Sequence, residues 1–389
     1  MSKLNMDSFD ETILKKLEAK NIDLSGLKTE DKSSLVAAIN EIFGKDKIAA
    51  AFGSPLNPSD TWDGMAGKIT GVEDKFRNVL VSKDVDVTGA GDINKLVDKV
   101  EGMKKYNFPS WYTGRDSWIN AKVMPIKKSE FGICSFGKDI YCVGGYTTGS
   151  PTGNCVCYNT ETNEWAAKAD IPSKRHGLST SLVDGKIYAF GGVATSTSKF
   201  NECYDILSNT WTTKASLPRA KQHPTTATVN TSIYIIGGNS SGNYVECYDT
   251  ITDSYTTKKN IITERRDLVS EVVGDFIYVI GGTTGSDSKK NECYDILNDS
   301  WTSKTDMPTA RFGLCSGIVD GKIYAIGGRV RSSSVGNNEC YDPELDSWKR
   351  VLDLPTMRDT LRSAVIDSII YTIGGIAGNY TDVNEIYIP

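Results

Sequence analysis

A pair of adjacent glycines recurs six times along the chain, at Gly144-Gly145, Gly191-Gly192, Gly237-Gly238, Gly281-Gly282, Gly327-Gly328 and Gly374-Gly375. Successive pairs stand 47, 46, 44, 46 and 47 residues apart. Each closes a short apolar run such as Lys186-Ile187-Tyr188-Ala189-Phe190. A polar loop follows, then a run such as Asn201-Glu202-Cys203-Tyr204-Asp205, then a Trp. A period of this length marks one supersecondary unit that buries its apolar face only by stacking on copies of itself.

The unit from Pro172 to Pro218 shows its construction. His176–Val183 alternates mildly and reads as a strand, and Asp184-Gly185 is a tight hairpin turn. Lys186–Phe190 reads as a strand buried on both sides, and the glycines after it let backbones approach where no side chain would fit. Val193 to Phe200 is a loop, Glu202–Ile206 a third strand, and the stretch around Trp211 a fourth. Four such antiparallel strands make one propeller blade. The Gly-Gly, the following Tyr-Asp and the later Trp together resemble the kelch repeat over six units. Two departures are small: Tyr255 stands where Trp is expected, and Asn159 follows Tyr158 in place of Asp. The resemblance implies an all-β, six-bladed kelch propeller over residues 109–389.

The last unit ends at Asn384-Glu385-Ile386-Tyr387 without its Trp strand, while Asp116-Ser117-Trp118-Ile119 lies 47 residues before Trp165. The expected closure therefore has residues of about 116–123 supply the outer strand of the last blade.

Residues 1–108 read differently, as an elongated, mainly α-helical stalk. Phe9, Ile13 and Leu17 place an amphipathic helix over Met6 to Asn21, with Asp7 or Ser8 as N-cap. A second repeat aligns residues 31–42, Thr61–Val72 and Asp92–Met103, with Leu35, Met65 and Leu96, then Ile39, Ile69 and Val100, in register. Each copy carries one narrow apolar stripe on a helix too short to be stable alone. The stripes either pack into a small helical domain or, as we favour, against copies of the chain in an oligomer. From Leu27 to Met103 this region resembles the N-terminal segments of tail-fibre and receptor-binding proteins from bacteriophages of Gram-positive hosts. That resemblance implies a homotrimer attached to a tail or baseplate protein.

The net charge of −5 is spread along the chain with no basic tail, so nothing points to nucleic acid. There is no run of about 18 apolar residues to enter a membrane. The start lacks a secretory leader, which implies synthesis in a cytoplasm and, for a phage protein, a place in the virion tail. Of nine cysteines, Cys157, Cys203, Cys247, Cys293 and Cys340 share one repeat position and read as small buried hydrophobes. No phosphate cradle, His-Glu-x-x-His or Cys-x-x-Cys is present, and no cofactor or metal is expected. The chain has two histidines, His176 and His223, at matching places in neighbouring units. A kelch copper oxidase needs two His with tyrosinates in one site; the two histidines could face one mouth of the channel, which keeps that idea open as a weak case.

Thirteen residues before the Tyr of each second strand stands a basic residue: Lys128, Arg175, Lys221, Arg265, Arg311 and Arg358. Two readings stand. Each pairs with a carboxylate, such as the Glu of the Asn-Glu-Cys-Tyr runs, or the six form a ring that binds anionic groups. The loops after the Gly-Gly pairs are rich in Ser, Thr, Gly and Asn, with Tyr146, Tyr244, Tyr380, Arg329 and Arg331 as their larger side chains, a composition suited to glycans or to solvent. The leading expectation is a non-enzymatic phage receptor-binding protein whose propeller binds a host surface glycan or anionic wall polymer. The alternatives are a kelch-type sugar epimerase, using Arg175 or Arg311 with Glu264, and an intracellular kelch scaffold.

Overall fold

In a computed structural model, residues 116–238 and 243–389 are described. The helices expected within 1–108 lie outside the described residues. Among the described residues there are six antiparallel four-stranded sheets, each one blade. The second blade runs Ser179–Val183, Lys186–Phe190, Asn201–Asp205 and Thr210–Thr213, paired in that order. The first strand thus begins three residues later than expected, because Gly177 sits at φ 61° and holds His176 outside the ladder. The first strands of the blades touch one another in sequence and close a circle around the central channel.

Closure occurs as the sequence implied. Ser117–Asn120 pairs antiparallel with Asn384–Ile388, placing Trp118 opposite Tyr387. The last blade is therefore built from both ends of the domain.

Two sets of aromatic contacts hold the blades. Within each blade the third-strand Tyr packs on the fourth-strand aromatic, as Tyr204 does on Trp211 at 5.1 Å between ring centroids. Between blades, the second-strand Tyr meets the third-strand Tyr of the next, as in Tyr188–Tyr248 at 5.7 Å, and Tyr371–Tyr158 closes the circle. The fourth-strand Trp also donates its Nε1–H to a carbonyl between blades: Trp211 to Ala169 at 2.8 Å and Trp118 to Leu352 at 3.0 Å. The departure at Tyr255 is explained here. Its hydroxyl donates to the Ala215 carbonyl at 3.0 Å, reaching the same kind of acceptor with a different group.

The Gly-Gly pairs are inter-blade joints as well as strand ends. A Cβ on Gly191 would lie 2.5 Å from the carbonyl oxygen of Lys221, and on Gly237 equally close to that of Arg265. The second glycine of each pair donates its N–H to that carbonyl, as Gly192 does to Lys221 at 2.8 Å. All nine cysteines are buried and free, the five at the shared position included. Burial pushes the thiols of Cys134, Cys142, Cys155 and Cys157 up to about 12, so they are inert hydrophobes at neutral pH.

Candidate functional site

The ring of six basic residues is where the structure departs most from an open anion site. Lys128, Arg175, Lys221, Arg265, Arg311 and Arg358 are all no more than 1% exposed. Five pair with the third-strand Glu of their own blade: Arg175 with Glu202, Lys221 with Glu246 at 2.8 Å, Arg265 with Glu292 at 2.9 Å, Arg311 with Glu339, and Arg358 with Glu385 at 2.7 Å. Their side chains also bond the carbonyl of the first glycine of the pair, as Arg175 Nε does to Gly191 at 2.8 Å. Together with the carbonyl contact from the preceding blade, each basic residue rivets two blades. The anion-ring expectation is corrected on this point, because a buried, paired guanidinium has neither the access nor the free donors to take an external ligand. The same burial removes Arg175 and Arg311 from the catalytic pairing with Glu264.

Lys128 is the exception within the belt. Its blade carries Val156 where the others carry Glu. Its ammonium donates to the carbonyls of Cys142 at 3.0 Å and Asn154 at 3.1 Å. Burial lowers its pKa to about 8.

Side chains open to ligand lie on the same face, nearer the axis. The residues leading into the first strands pair with the loops after Gly-Gly, for example Ser129 with Tyr146, His176 with Val193 and Phe312 with Arg329. Just beyond these positions Glu130, Gly177, His223, Asp267, Gly313 and Thr360 all have positive φ, between 50° and 61°. Each donates its backbone N–H to the carbonyl of the previous one, from Gly177 to Glu130 at 2.8 Å round to Glu130 and Thr360 at 3.3 Å. This closed circle of six hydrogen bonds rims the channel mouth. The backbone repeats here, but the side chains do not.

Those side chains converge. His176 Nδ1 hydrogen-bonds Glu130 Oε2, and His223 Nε2 lies 3.5 Å from the same oxygen. The other nitrogen of His223, Nδ1, is 2.8 Å from Asp267 Oδ1. Arg362, on the first strand of the last blade, donates its Nε–H to the Phe131 carbonyl at 2.9 Å, and its charge acts on Glu130 and Asp267. Burial works against a charged His223 ring, yet Asp267 and Glu130 outweigh it and hold its pKa above the ordinary value. Burial would likewise raise Glu130 and Asp267, but the imidazoles hold both carboxyls below the ordinary range. Tyr146 stands edge-on to His176 at 4.8 Å between centroids, and Tyr380 lies 5.9 Å from Tyr146.

Below the mouth a cavity of about 220 Å³ is lined by His223, Asp267, Arg362, Glu271 and first-strand hydroxyls. Those hydroxyls link neighbouring blades, as Ser179 Oγ with Thr226 Oγ1 at 2.8 Å and Thr225 Oγ1 with Ser270 Oγ at 2.7 Å. Glu271 accepts from Ser316 Oγ at 2.6 Å, and burial pushes its carboxyl up to about 7.

The loop residues singled out from sequence remain at the surface but are not one cluster. Tyr146 and Tyr380 flank the mouth. Tyr244 is exposed, with the Arg219 guanidinium 3.8 Å above its ring. Arg329 reaches Asp359 at 3.9 Å, and Arg331 is exposed with its backbone N–H bound to Asp287. Glu130, Asp267 and Arg362 were not among the residues picked out. A signal did exist: at the position where two repeats have Gly177 and Gly313, others have Glu130, His223, Asp267 and Thr360, polar residues in a conformation that favours glycine.

The fold and the rim now stand beside known proteins. The family model described as KLHDC2/KLHL20/DRC7 Kelch-repeats domain matches residues 130–328, more than half of the chain, and the Kelch motif model matches residues 310–355. The chain belongs to this kelch-repeat family. Human Kelch-like protein 28 is 30% identical over 90 residues, covering 21% of this chain and 16% of its own length. Zebrafish Kelch-like ECH-associated protein 1A is 31% identical over 87 residues, covering 21% and 14%. The chain thus spans well under a fifth of the length of these curated relatives. The solved structure of YjhT superimposes with a TM-score of 0.61 at 16% identity, over 68% of this chain and 95% of its own. At that identity the likeness concerns the fold. It supports the six-bladed kelch propeller expected from the repeats.

Proposed function

We propose that this kelch protein is a non-enzymatic receptor-binding protein of a bacteriophage tail. Its propeller binds a host surface glycan or wall polymer through the face that carries the channel mouth. Residues 1–108 join copies into a trimer and attach them to a tail or baseplate protein, so the protein resides in the virion tail. The observation that carries the reading is the division of the loop face. Its repeated basic residues are buried in the fold, while Tyr146, Tyr380, Tyr244, Arg329 and Arg331 remain available with hydroxyl- and amide-rich loops around them. Aromatic platforms beside a few guanidinium donors suit weak contacts with sugars and their anionic substituents. Several weak sites per fibre then act by avidity.

Light scattering on the full chain is expected to report an oligomer, and the full chain to sediment with Gram-positive cell walls. Tyr146→Ala together with Arg331→Ala should reduce that sedimentation at least tenfold. A monomer that stays in the supernatant when the cell walls sediment would sink the reading.

A second reading, a scaffold that binds a protein partner through the same face, is favoured by the kelch-family match. Retention of cell-wall binding after enzymatic removal of wall glycans, with loss after protease treatment of the walls, would move the assignment to that reading.

A further inference from the structure

We propose that Glu130, His176 and His223 form a binding site for one divalent transition-metal ion of the zinc type at the channel mouth. The donor atoms already converge, all within 4.8 Å of one another. Zinc bonds of about 2.0–2.1 Å in a tetrahedral arrangement set donor atoms about 3.3 Å apart. His223 Nε2 and Glu130 Oε2 stand at 3.5 Å. Seating an ion requires the His176 ring to withdraw from Glu130 and the widest donor pair, within 4.8 Å, to close by up to about 1.5 Å, side-chain adjustments that leave the backbone in place.

The backbone at these positions is held by the rim. Glu130 and His223 belong to the closed hydrogen-bonded rim, and His176 precedes Gly177 of that rim, so three neighbouring blades deliver one ligand each from rigid positions. An independent feature points the same way. Asp267 occupies the Nδ1 side of His223 at 2.8 Å, which leaves Nε2 facing Glu130. A carboxylate behind a histidine, fixing which nitrogen faces the ion, is the usual outer partner of a metal-bound imidazole. Two histidines and one carboxylate, partly exposed, leave a fourth coordination position for water or for a ligand oxygen.

Charge is compatible with a cation. Arg362 and Arg266 set positive charge beside Asp267, and Arg362 also beside Glu130, while Asp359, itself 3.9 Å from Arg329, brings a third carboxylate, so the surroundings are near charge balance. Competing soft ligands are shut away. The chain has two histidines, both here, and its nine cysteines are all buried. No metal is expected from the sequence, where the two histidines stand at matching places but Glu130, 46 and 93 residues before them, carries no sign of joining them.

The test uses the tag-free full chain, stripped with EDTA and titrated with Zn(II) by calorimetry and with Co(II) by visible absorption. One Zn(II) per chain is expected, with Co(II) bands of tetrahedral intensity. His176→Ala and His223→Ala should each weaken binding at least a hundredfold, and Asp267→Asn about tenfold with the stoichiometry unchanged. Glu130→Gln, which keeps size and hydrogen-bonding capacity, should weaken it with the circular dichroism unchanged and the melting point shifted by no more than about 4 °C, separating lost ligation from lost folding. No saturable binding below 100 µM Zn(II), on the order of a thousandfold weaker than expected of a built site, overturns the proposal. So does wild-type affinity in both histidine variants. Either outcome is independent of cell-wall binding.

Discussion

Two concentric regions of the loop face share one backbone plan and differ in everything else. The outer belt holds a basic residue per blade, buried and in five blades paired with Glu. The inner rim repeats its positive φ and its hydrogen bonds, yet presents Glu, Gly, His, Asp, Gly and Thr in turn. Where the side chain repeats with the backbone, it serves the joint between blades. Where the backbone repeats and the side chain does not, the position is free of the joint and open to recognition. A ring of like residues in a propeller is therefore a weaker pointer to a ligand than a ring of unlike ones.

The largest test of this distinction is removal of one belt partner. Arg311→Met leaves Glu339 buried without its countercharge and should cost about 3–5 kcal/mol in denaturant unfolding. Glu130→Gln on the rim should cost about 1 kcal/mol or less. Equal losses would erase the boundary between the regions.

Closure of the circle gives the next effect. Trp118→Ala removes the packing on Tyr387 and the bond to Leu352, and should cost about 3 kcal/mol. The propeller should still unfold in one calorimetric transition at a lower temperature, since belt and rim both run through the last blade. An unchanged melting point would show that the outer strand does not fasten the ring.

Lys128, the belt member without a Glu, sharpens the comparison through pH. Its pKa lies near 8 in the folded protein, lowered by burial from 10.5. Between those values the unfolded chain holds the proton that the folded chain has lost. Raising pH then strips protons from the unfolded state and favours folding. Relative to Lys128→Met, the native protein should gain up to about 3 kcal/mol from pH 8 to 10.5. A flat difference would mean that the ammonium is not desolvated in the folded state.

The smallest effect is expected at Thr360. It is β-branched at φ 50°, where two other blades use glycine. Thr360→Gly should change stability by less than about 1 kcal/mol, with relief of strain favoured over the added chain entropy. A loss of several kcal/mol would place Thr360 in the joint with the belt.

Much of this was legible in the residues. The 44–47-residue period, the hairpin turns and the displaced Trp strand specify six blades and their closure, because five blades fold from contiguous hairpins, the sixth lacks one strand that the sequence shows elsewhere, and the apolar alternation is local. The pairing of Arg175 with Glu202, and its equivalents 25 to 28 residues downstream, lay within one repeat and was readable as one of two options. Which option held was not readable, since burial depends on the neighbouring blade closing over the guanidinium. The rim was least visible. Glu130, His176, His223, Asp267 and Arg362 come from five blades, and only circular closure brings them to one mouth. The sequence by itself determined the architecture, whose information is periodic and short in range. The tertiary structure alone decided which charges are buried rivets and which meet at the axis, because solvent access and convergence belong to the closed ring.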